Sequence, residues 1–520
     1  MASILAAIAW PYAGAGEVGT VNVTPLTKQT FTGFGVFMGY GVGYTMTYSL
    51  AHGGAAGVDA LFDRTFAPDQ LNCQYLRLNV DPRFQEGPDR GEIPPDDRAL
   101  EEFTGQVTMA RKAKARNPAV QLCFSVFRPP HWMRAGEETI APGEGAKWWH
   151  AAGESDVARF WRDGARSANR LRDDRREDFA GYLSRFCQRF HALSGWWPDH
   201  LSLQNEPDLN SGTGADYSSC TYTPESYGAT ARAVVQRFVA DGVPTRLIGP
   251  EFSYQAFGGA DEEYYRRAHT AAGPPIAGRA VIATGAIHCY GDGFSAEWSA
   301  TGQGPLWCTE YSFSGRGMAN FDPDLPRSAA WFGAMVATRL QRGHISSFWW
   351  FNVCAKAGSP AMPEALLTTD GEGGSQAITR HGMTRTAFVL RQLATTIVPG
   401  SVILDTEFFW NAGGQTYDLG YPVTIFPAAM ACRRPDGRHV VLFANPTLSA
   451  HRDTINLQVP ALAHAGEQRW SVRLTDATHS DADAGTLTFT NGFARDGFHV
   501  PPQAVVTLLE PGAAATAPSR

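Results

Sequence analysis

Between residues 33 and 352, short dense apolar runs alternate with longer segments whose apolar residues recur every three or four positions. Eight of the short runs read as strands: Gly33–Tyr40, Cys73–Asp81, Val120–Phe127, His200–Asn205, Thr245–Pro250, Ala283–Tyr290, Pro305–Tyr311 and Ile345–Asn352. Most are dense in β-branched, aromatic or Cys residues and short enough to be buried on both faces, as parallel strands are. Helical spacing fills many of the gaps. Arg176–Ser194 places Phe179, Leu183, Phe186 and Phe190 on one stripe. Asp96–Arg116 opens with acids and closes with bases, matching the helix dipole. Thr223–Asp241 opens with Thr-Pro-Glu, an N-cap followed by a proline in the first turn. Pro326–Arg342 and Thr384–Ile397 are further amphipathic segments. The alternation predicts an α/β fold, a (β/α)8 TIM barrel with long loops. A doubly wound open sheet would use the same units, but no Gly-rich phosphate fingerprint follows an early strand.

After Pro399-Gly400 the texture becomes all-β. Runs at Val402–Asp405, Val423–Phe426, His439–Ala444, Thr454–Val459, Trp470–Thr475, Thr486–Thr490 and Ala504–Leu509 are separated by turn signals such as Pro435-Asp436-Gly437 and Asn491-Gly492. They read as a β-sandwich. Val18–Thr30 is also strand-like and can pair with it, tying the chain ends together. The expected limits are 18–32 for the N-terminal part of the sandwich, 33–394 for the barrel and 395–512 for the C-terminal part of the sandwich. The Gly-rich insertion Arg134–Arg175, with Trp148, Trp149 and Trp161, follows the third strand. In a barrel it lies over the catalytic face, either as a lid or cleft wall or as a solvated loop.

Composition narrows the classes. Lys+Arg 44 against Asp+Glu 51 gives 44 − 51 = −7, which argues against a non-specific nucleic-acid binder. No run of 18 apolar residues is present, so no membrane span is expected. Eight Cys without a CxxC pair exclude a disulfide scaffold and give a zinc site no support. Cys73, Cys123, Cys289, Cys308 and Cys354 sit in apolar runs and read as buried thiols. Met1–Tyr12 is apolar but has no preceding Lys or Arg, so it is a weak leader or a buried N-terminal segment; a secreted or periplasmic location is the expectation adopted. The oligomeric state is not legible.

Two carboxylates carry the chemistry. Glu206 follows the fourth strand in LSLQNEPD, and Glu310 ends the seventh in PLWCTEYSF. Strand C-termini line the active site of a barrel, and strands four and seven lie on opposite sides of its mouth. A facing pair there suits glycoside hydrolysis, one acid protonating the leaving oxygen and the other attacking the anomeric carbon. Asn205 beside Glu206 can hold a sugar 2-hydroxyl. Arg77, in strand two, needs a carboxylate partner if buried, and Glu310 is the candidate; the pairing would keep Glu310 ionised. His288 and Tyr290 alternate at the end of strand six and face the same way, Tyr290 able to donate to Glu310. Asp81 and Phe127 end strands two and three, Trp132 follows strand three in SVFRPPHWM, and all are further candidates for substrate contact. Trp349 and Trp350 end strand eight; alternation sends one toward the sugar and the other toward a helix.

The set LSLQNEP, WCTEYS, FRPPHWM, AIHCYG and TAFVLRQLATTIVPGSV resembles glycoside hydrolase family 30, in clan A of the glycosidases. The likeness covers nearly the whole chain. It implies a (β/α)8 barrel with a side sandwich built from both chain ends, and retention of anomeric configuration. Glu206 matches the acid/base, Glu310 the nucleophile, Arg77 the strand-two arginine, and His288 and Tyr290 the strand-six pair. The chain departs from the family in three places. The element TGFGVFMGYGVG lacks the usual acidic or hydroxyl residues just after it, Cys289 stands where some members carry a bulky aromatic, and no basic motif for a glucuronic acid branch follows strand eight.

The reaction expected is therefore two-step retaining hydrolysis of a β-glycoside, without cofactor or metal, on a carbohydrate partner of the β-1,6-glucan, β-1,6-galactan or xylan class. Glucosylceramide-like lipids and small β-glycosides stay open as substrates, and so does transglycosylation. A non-catalytic carbohydrate-binding barrel is the rival from another class.

Overall fold

All eight apolar runs become strands of one closed parallel barrel in the computed structural model, which describes residues 19–80, 97–135, 170–207, 220–252, 260–290, 304–313, 322–359, 365–371, 376–409, 415–418, 422–448, 455–463, 465–494 and 500–512. Asp81 and the three tryptophans of the insertion, Trp148, Trp149 and Trp161, lie outside the described residues. In order the strands are Gly33–Phe37, Tyr75–Val80, Gln121–Val126, His200–Ser202, Arg246–Phe252, Thr284–His288, Leu306–Glu310 and Ile345–Trp350. Each pairs in parallel with its neighbour in the chain, and the eighth closes on the first through Phe348↔Phe34 and Trp350↔Val36. Nearly every strand residue is buried, because side chains of one face fill the barrel and those of the other meet the helices.

The five helices expected from periodicity form within a residue or two of their predicted ends. Thr223 caps Pro224–Asp241, its hydroxyl accepting from the Ser226 N–H at 3.2 Å, and Thr384 caps Arg385–Thr396 in the same way. Arg176–Ser194 buries Phe179, Leu183, Phe186 and Phe190 and stops at Gly195, in the left-handed region at φ 90°. Among the described residues three further helices occur, Tyr40–Ala51, Ala55–Phe66 and Ala260–Ala272. The first is rich in Gly, Thr and Tyr, poor helix formers, and is set by its place after strand one rather than by propensity. The second buries Val58, Leu61, Phe62 and Thr65, a helical pattern present in the sequence. Among the described residues no helix is long and apolar enough to cross a membrane.

The all-β part is a nine-stranded sheet that closes on itself. Gly19–Thr30 pairs antiparallel with Val402–Phe409 on one side and parallel with Ile455–Gln458 on the other. The interior between its faces is apolar, built around Trp470 stacked on Phe489 with centroids 4.4 Å apart. Val423–Phe426, expected within the sandwich, instead contributes Pro422–Ile425 to a separate hairpin with Gln415–Asp418. Its place in the main sheet is taken by Ala428–Arg433, which the short side chains Ala428, Ala429 and Ala431 had disguised.

Helices Pro326–Gln341 and Arg385–Thr396 are shared between the two parts. Gly333 lets sheet and helix approach closely, since a Cβ there would come within 2.5 Å of Val505 Cγ2. Gln392, fully buried, donates to Val505 O and accepts from Thr475 Oγ1 at 2.7 Å. Asp481, almost wholly buried, takes both Arg391 and Arg473. All eight cysteines are buried free thiols.

Strand eight corrects one expectation. Trp349 and Trp350 point to opposite faces, but both are sealed from solvent. Trp349 fills the barrel interior against Tyr75 and Trp307, with centroids 4.9 and 5.7 Å away, its indole N–H on Ser347 Oγ at 2.7 Å. Trp350 packs outward against Phe332 and Phe313. Neither offers a face to a sugar: Trp349 fills the space left by Gly35 on the first strand, where a Cβ would come within 2.6 Å of the ring, and Trp350 is covered by Phe313 and Phe332. Trp349→Ala is accordingly a core deletion and should lower unfolding free energy by about 3–5 kcal/mol in urea titration, whether or not a sugar is present.

Candidate active site

Parallel winding brings all eight strand C-termini to one mouth. Strand four continues past Ser202 into a segment pinned by its own side chains. Gln204 Nε2 donates to Phe127 O at 2.6 Å and to Asn205 O at 2.8 Å, and the Asn205 N–H donates to Val126 O at 2.6 Å. Glu206 follows in the left-handed region at φ 49°, its N–H donating to Glu251 O at 3.1 Å. A left-handed glutamate is held there by its surroundings and aims its side chain across the mouth. Strand seven contains a bulge: Cys308 pairs with Ile287 but Glu310 with His288. The extra residue re-aims Glu310 toward the barrel axis.

The two carboxylates meet. An oxygen of Glu206, an oxygen of Glu310 and a ring nitrogen of His288 all lie within 4.8 Å of one another. Both glutamates keep only a few per cent of their surface exposed. His288 Nδ1 is 2.9 Å from Glu206 Oε1 and 3.7 Å from Glu310 Oε1. The Tyr290 hydroxyl donates to Glu310 Oε1 at 3.0 Å. Burial pushes the His288 imidazole down to about 4, against the pull of Glu310, so it is neutral around pH 7.

Beneath them sits Arg77, fully buried at the barrel axis. Its Nη1 reaches Glu310 Oε2 at 2.5 Å and its Nη2 donates to Asn205 Oδ1 at 2.6 Å. Nε donates to Ser125 Oγ at 2.9 Å. The remaining side of the guanidinium faces Glu251, with Nε 3.1 Å from Oε1 and Nη2 3.2 Å from Oε2. Burial weakens the hold of Arg77 on its proton, but Glu251 and Glu310 outweigh it and hold the charge more firmly than in water. Burial likewise resists the Glu251 charge, yet Arg77, with a hydrogen bond from Ser202, holds that carboxyl below the ordinary glutamate value. Phe37 and Phe127 cover the guanidinium, with ring centroids 5.2 and 5.7 Å from Cζ. Phe351, half-buried, stacks on Phe37 at 4.9 Å.

Of the residues singled out from sequence, Arg77, Phe127, Asn205, Glu206, His288, Tyr290 and Glu310 therefore share one cluster. Trp132 lies on the turn His131–Met133, half-buried, with the Arg175 guanidinium 5.6 Å from its ring. Glu251, Phe37 and Ser125 were not foreseen, whereas Phe351 is one of the three aromatics that end the predicted strand eight. Glu251 is the next-to-last residue of strand five, in IGPEFSY, close to the kind of position Glu206 and Glu310 hold, and the predicted strand stops one residue short of it at Pro250. Glu206, His288 and Glu310 offer the donor set of a divalent cation, but Glu310 already faces a guanidinium whose charge opposes one.

No family model and no curated protein matches this sequence. Solved structures do match over nearly its full length. The catalytic domain of the family 30 xylanase C from Talaromyces cellulolyticus superposes with a TM-score of 0.65 at 16% identity, covering 95% of this chain and 100% of that one. A glycoside hydrolase family 30 subfamily 8 xylanase from Clostridium acetobutylicum gives 0.63 at 17%, covering 95% and 99%. An endo-β-1,6-glucanase gives 0.59 at 16%, covering 96% and 95%. The chain has the fold of the family 30 glycoside hydrolases. Its side sheet and barrel are both part of that match, since 95% of the chain is covered.

The neutral buried histidines make stability depend on pH. His288 titrates at about 4 and His200, buried under Trp307, at about 3, against an ordinary 6.5 when unfolded. Their folded values are depressed, so their contribution is whole above pH 6.5 and is lost as pH falls toward 4. Each should add a slope of about 1.4 kcal/mol per pH unit over that window. Chemical unfolding from pH 7 to 4 checks this: His200→Asn should flatten the slope by about one proton relative to the parent chain.

Proposed function

We propose that the chain is a retaining β-glycoside hydrolase acting on a poly- or oligosaccharide. The observation that carries this reading is the approach of Glu206 and Glu310 to within 4.8 Å, each with its own partner, His288 for the first and Arg77 for the second. Carboxyl groups about 5–5.5 Å apart leave no room for a water between the second carboxylate and the sugar, which favours covalent attack and retention over inversion. The fold likeness to xylanases and an endo-β-1,6-glucanase supports a polysaccharide substrate.

In the first step a Glu310 oxygen bonds to the anomeric carbon. The glycosidic C–O bond breaks, and the leaving oxygen takes the proton of Glu206. Tyr290 and Arg77 fix the two Glu310 oxygens, so one lone pair of Oε1 is left to face the sugar. With Glu310 charged nearby, a proton on Glu206 is favoured by Coulomb repulsion. Forming the ester removes that repulsion; Glu206 then takes a proton from a water whose oxygen bonds to the anomeric carbon as the C–O bond to Glu310 breaks, which returns the Glu310 carboxylate. Neutral His288 suits both stages, since Nδ1 can accept from the protonated acid or, as the other tautomer, donate to the carboxylate.

Hydrolysis of 2,4-dinitrophenyl β-glycosides and sizing of products from xylan and β-1,6-glucan test the reading. Glu310→Ala should lose activity by roughly 10⁴-fold or more. Glu206→Ala should lose much less on the dinitrophenyl substrate, whose leaving group needs little acid, and azide should restore turnover with a β-glycosyl azide product. Variants as active as the parent chain, or an inverted product, would refute the assignment.

A further inference from the structure

Glu251 is a third carboxylate at the strand mouth, fully buried, and the two-glutamate reaction leaves it without a part. It is not a bystander to the network. Its carboxylate faces Nε and Nη2 of Arg77 at 3.1 and 3.2 Å, while Nη1 of the same guanidinium holds Glu310 at 2.5 Å. Its main-chain carbonyl accepts the N–H of Glu206, and both glutamates adopt left-handed backbone angles, φ 49° and 50°. One residue thus touches the proposed acid through its backbone and reaches the proposed nucleophile through a shared arginine.

The charges explain why a second carboxylate is needed. In the free enzyme Glu310 alone would suffice to neutralise Arg77. When a Glu310 oxygen bonds to the anomeric carbon, the carboxylate becomes an ester and its negative charge is gone; the electron pair of the broken C–O bond leaves with the departing oxygen, which takes the Glu206 proton. Arg77 is then a cation with no exposed surface and no counter-charge from Glu310. An unpaired buried charge is among the most unfavourable groups a protein can hold. Glu251 does not react and remains ionised beside it.

We propose that Glu251 is a positioning residue, the standing counter-ion of Arg77, which keeps that cation paired while Glu310 is esterified and so lowers the barrier to glycosyl-enzyme formation. The proposal rests on the double-displacement reading above. It predicts that charge, not only shape, matters at position 251.

The test compares Glu251→Gln, which keeps the shape and loses the charge, with Glu251→Asp, which keeps the charge. The probes are 2,4-dinitrophenyl β-xyloside and β-glucoside, with circular dichroism to check folding. Glu251→Gln should lose roughly a hundredfold in kcat/KM, the size expected from removing one partner of a buried pair. Its KM should rise and any pre-steady-state burst should vanish, because formation of the intermediate becomes rate-limiting. Glu251→Asp should stay within about fivefold of the parent. In an Arg77→Gln background, Glu251→Gln should have almost no further effect, since no buried cation remains to be balanced. That double variant also supplies the answer if Glu251→Gln alone does not fold.

Parent-like kinetics in Glu251→Gln, equal losses in the Gln and Asp variants, or additive losses with Arg77→Gln would each overturn the proposal. If Glu310→Ala turned over the probes as well as the parent chain, the double-displacement reading would fail instead, which keeps the two outcomes apart.

Discussion

Everything at the mouth of this barrel is arranged around one buried guanidinium. Arg77 has no contact with solvent, so its charge must be met by protein. It is met from four strands at once: Ser125 from the third, Asn205 past the fourth, Glu251 from the fifth and Glu310 from the seventh. The planar fork of arginine can satisfy that many acceptors in fixed directions, whereas a lysine ammonium could not hold them in one plane. Each acceptor in turn fixes a neighbour. Asn205 sits one residue before Glu206, and Glu251 O holds the Glu206 N–H. The separation of the two proposed catalytic glutamates is therefore set by the reach of a single side chain.

Rigidity below this layer makes such reach reproducible. The barrel interior under Arg77 is filled by Tyr75, Trp307 and Trp349, with Cys123, Ile248 and Ala286 between them. These apolar rings supply a low-dielectric floor, on which charge pairs are worth more than at a surface. The outer wall is stiffened in a different way. Helix Pro326–Gln341 packs on strand eight through Phe332 and Trp350, and with Arg385–Thr396 it meets the side sheet through Gly333, Gln392 and Arg391. The sheet that the chain ends build together thus braces strand eight, the neighbour of the strand that bears Glu310.

Much of this could be read without coordinates, and the failures are instructive. The eight strands were legible because parallel strands are apolar on both faces and stand out from amphipathic helices. Glu206 and Glu310 were legible because a carboxylate emerging from such a run has few structural excuses. Arg77 and its pairing with Glu310 followed from the same argument applied to a cation. Glu251 obeys that rule equally well and was passed over only because Gly249-Pro250 read as the end of the strand, where the chain in fact runs on to Phe252. The tryptophans of strand eight show the opposite limit. Alternation assigned them to opposite faces correctly, but it cannot tell a strand's inner face in the packed barrel from the same face at the open mouth. That depends on how far along the barrel axis each residue lies, a quantity set by stagger between strands and not by any one of them.

The aromatic wall of the site follows from the same charge. Phe37 and Phe127 lie over the guanidinium, and Phe351 stacks on Phe37. A ring over Arg77 does two things: it gives the cation a favourable quadrupole and keeps water from screening its pull on Glu310. It also fixes what the opposite side of the cleft can recognise. In the proposed hydrolysis a sugar between that wall and the two glutamates would meet carbon on one face and oxygen on the other. Among the described residues, Asn205, Tyr290 and the glutamates are the polar groups that stand beside the proposed reacting bond.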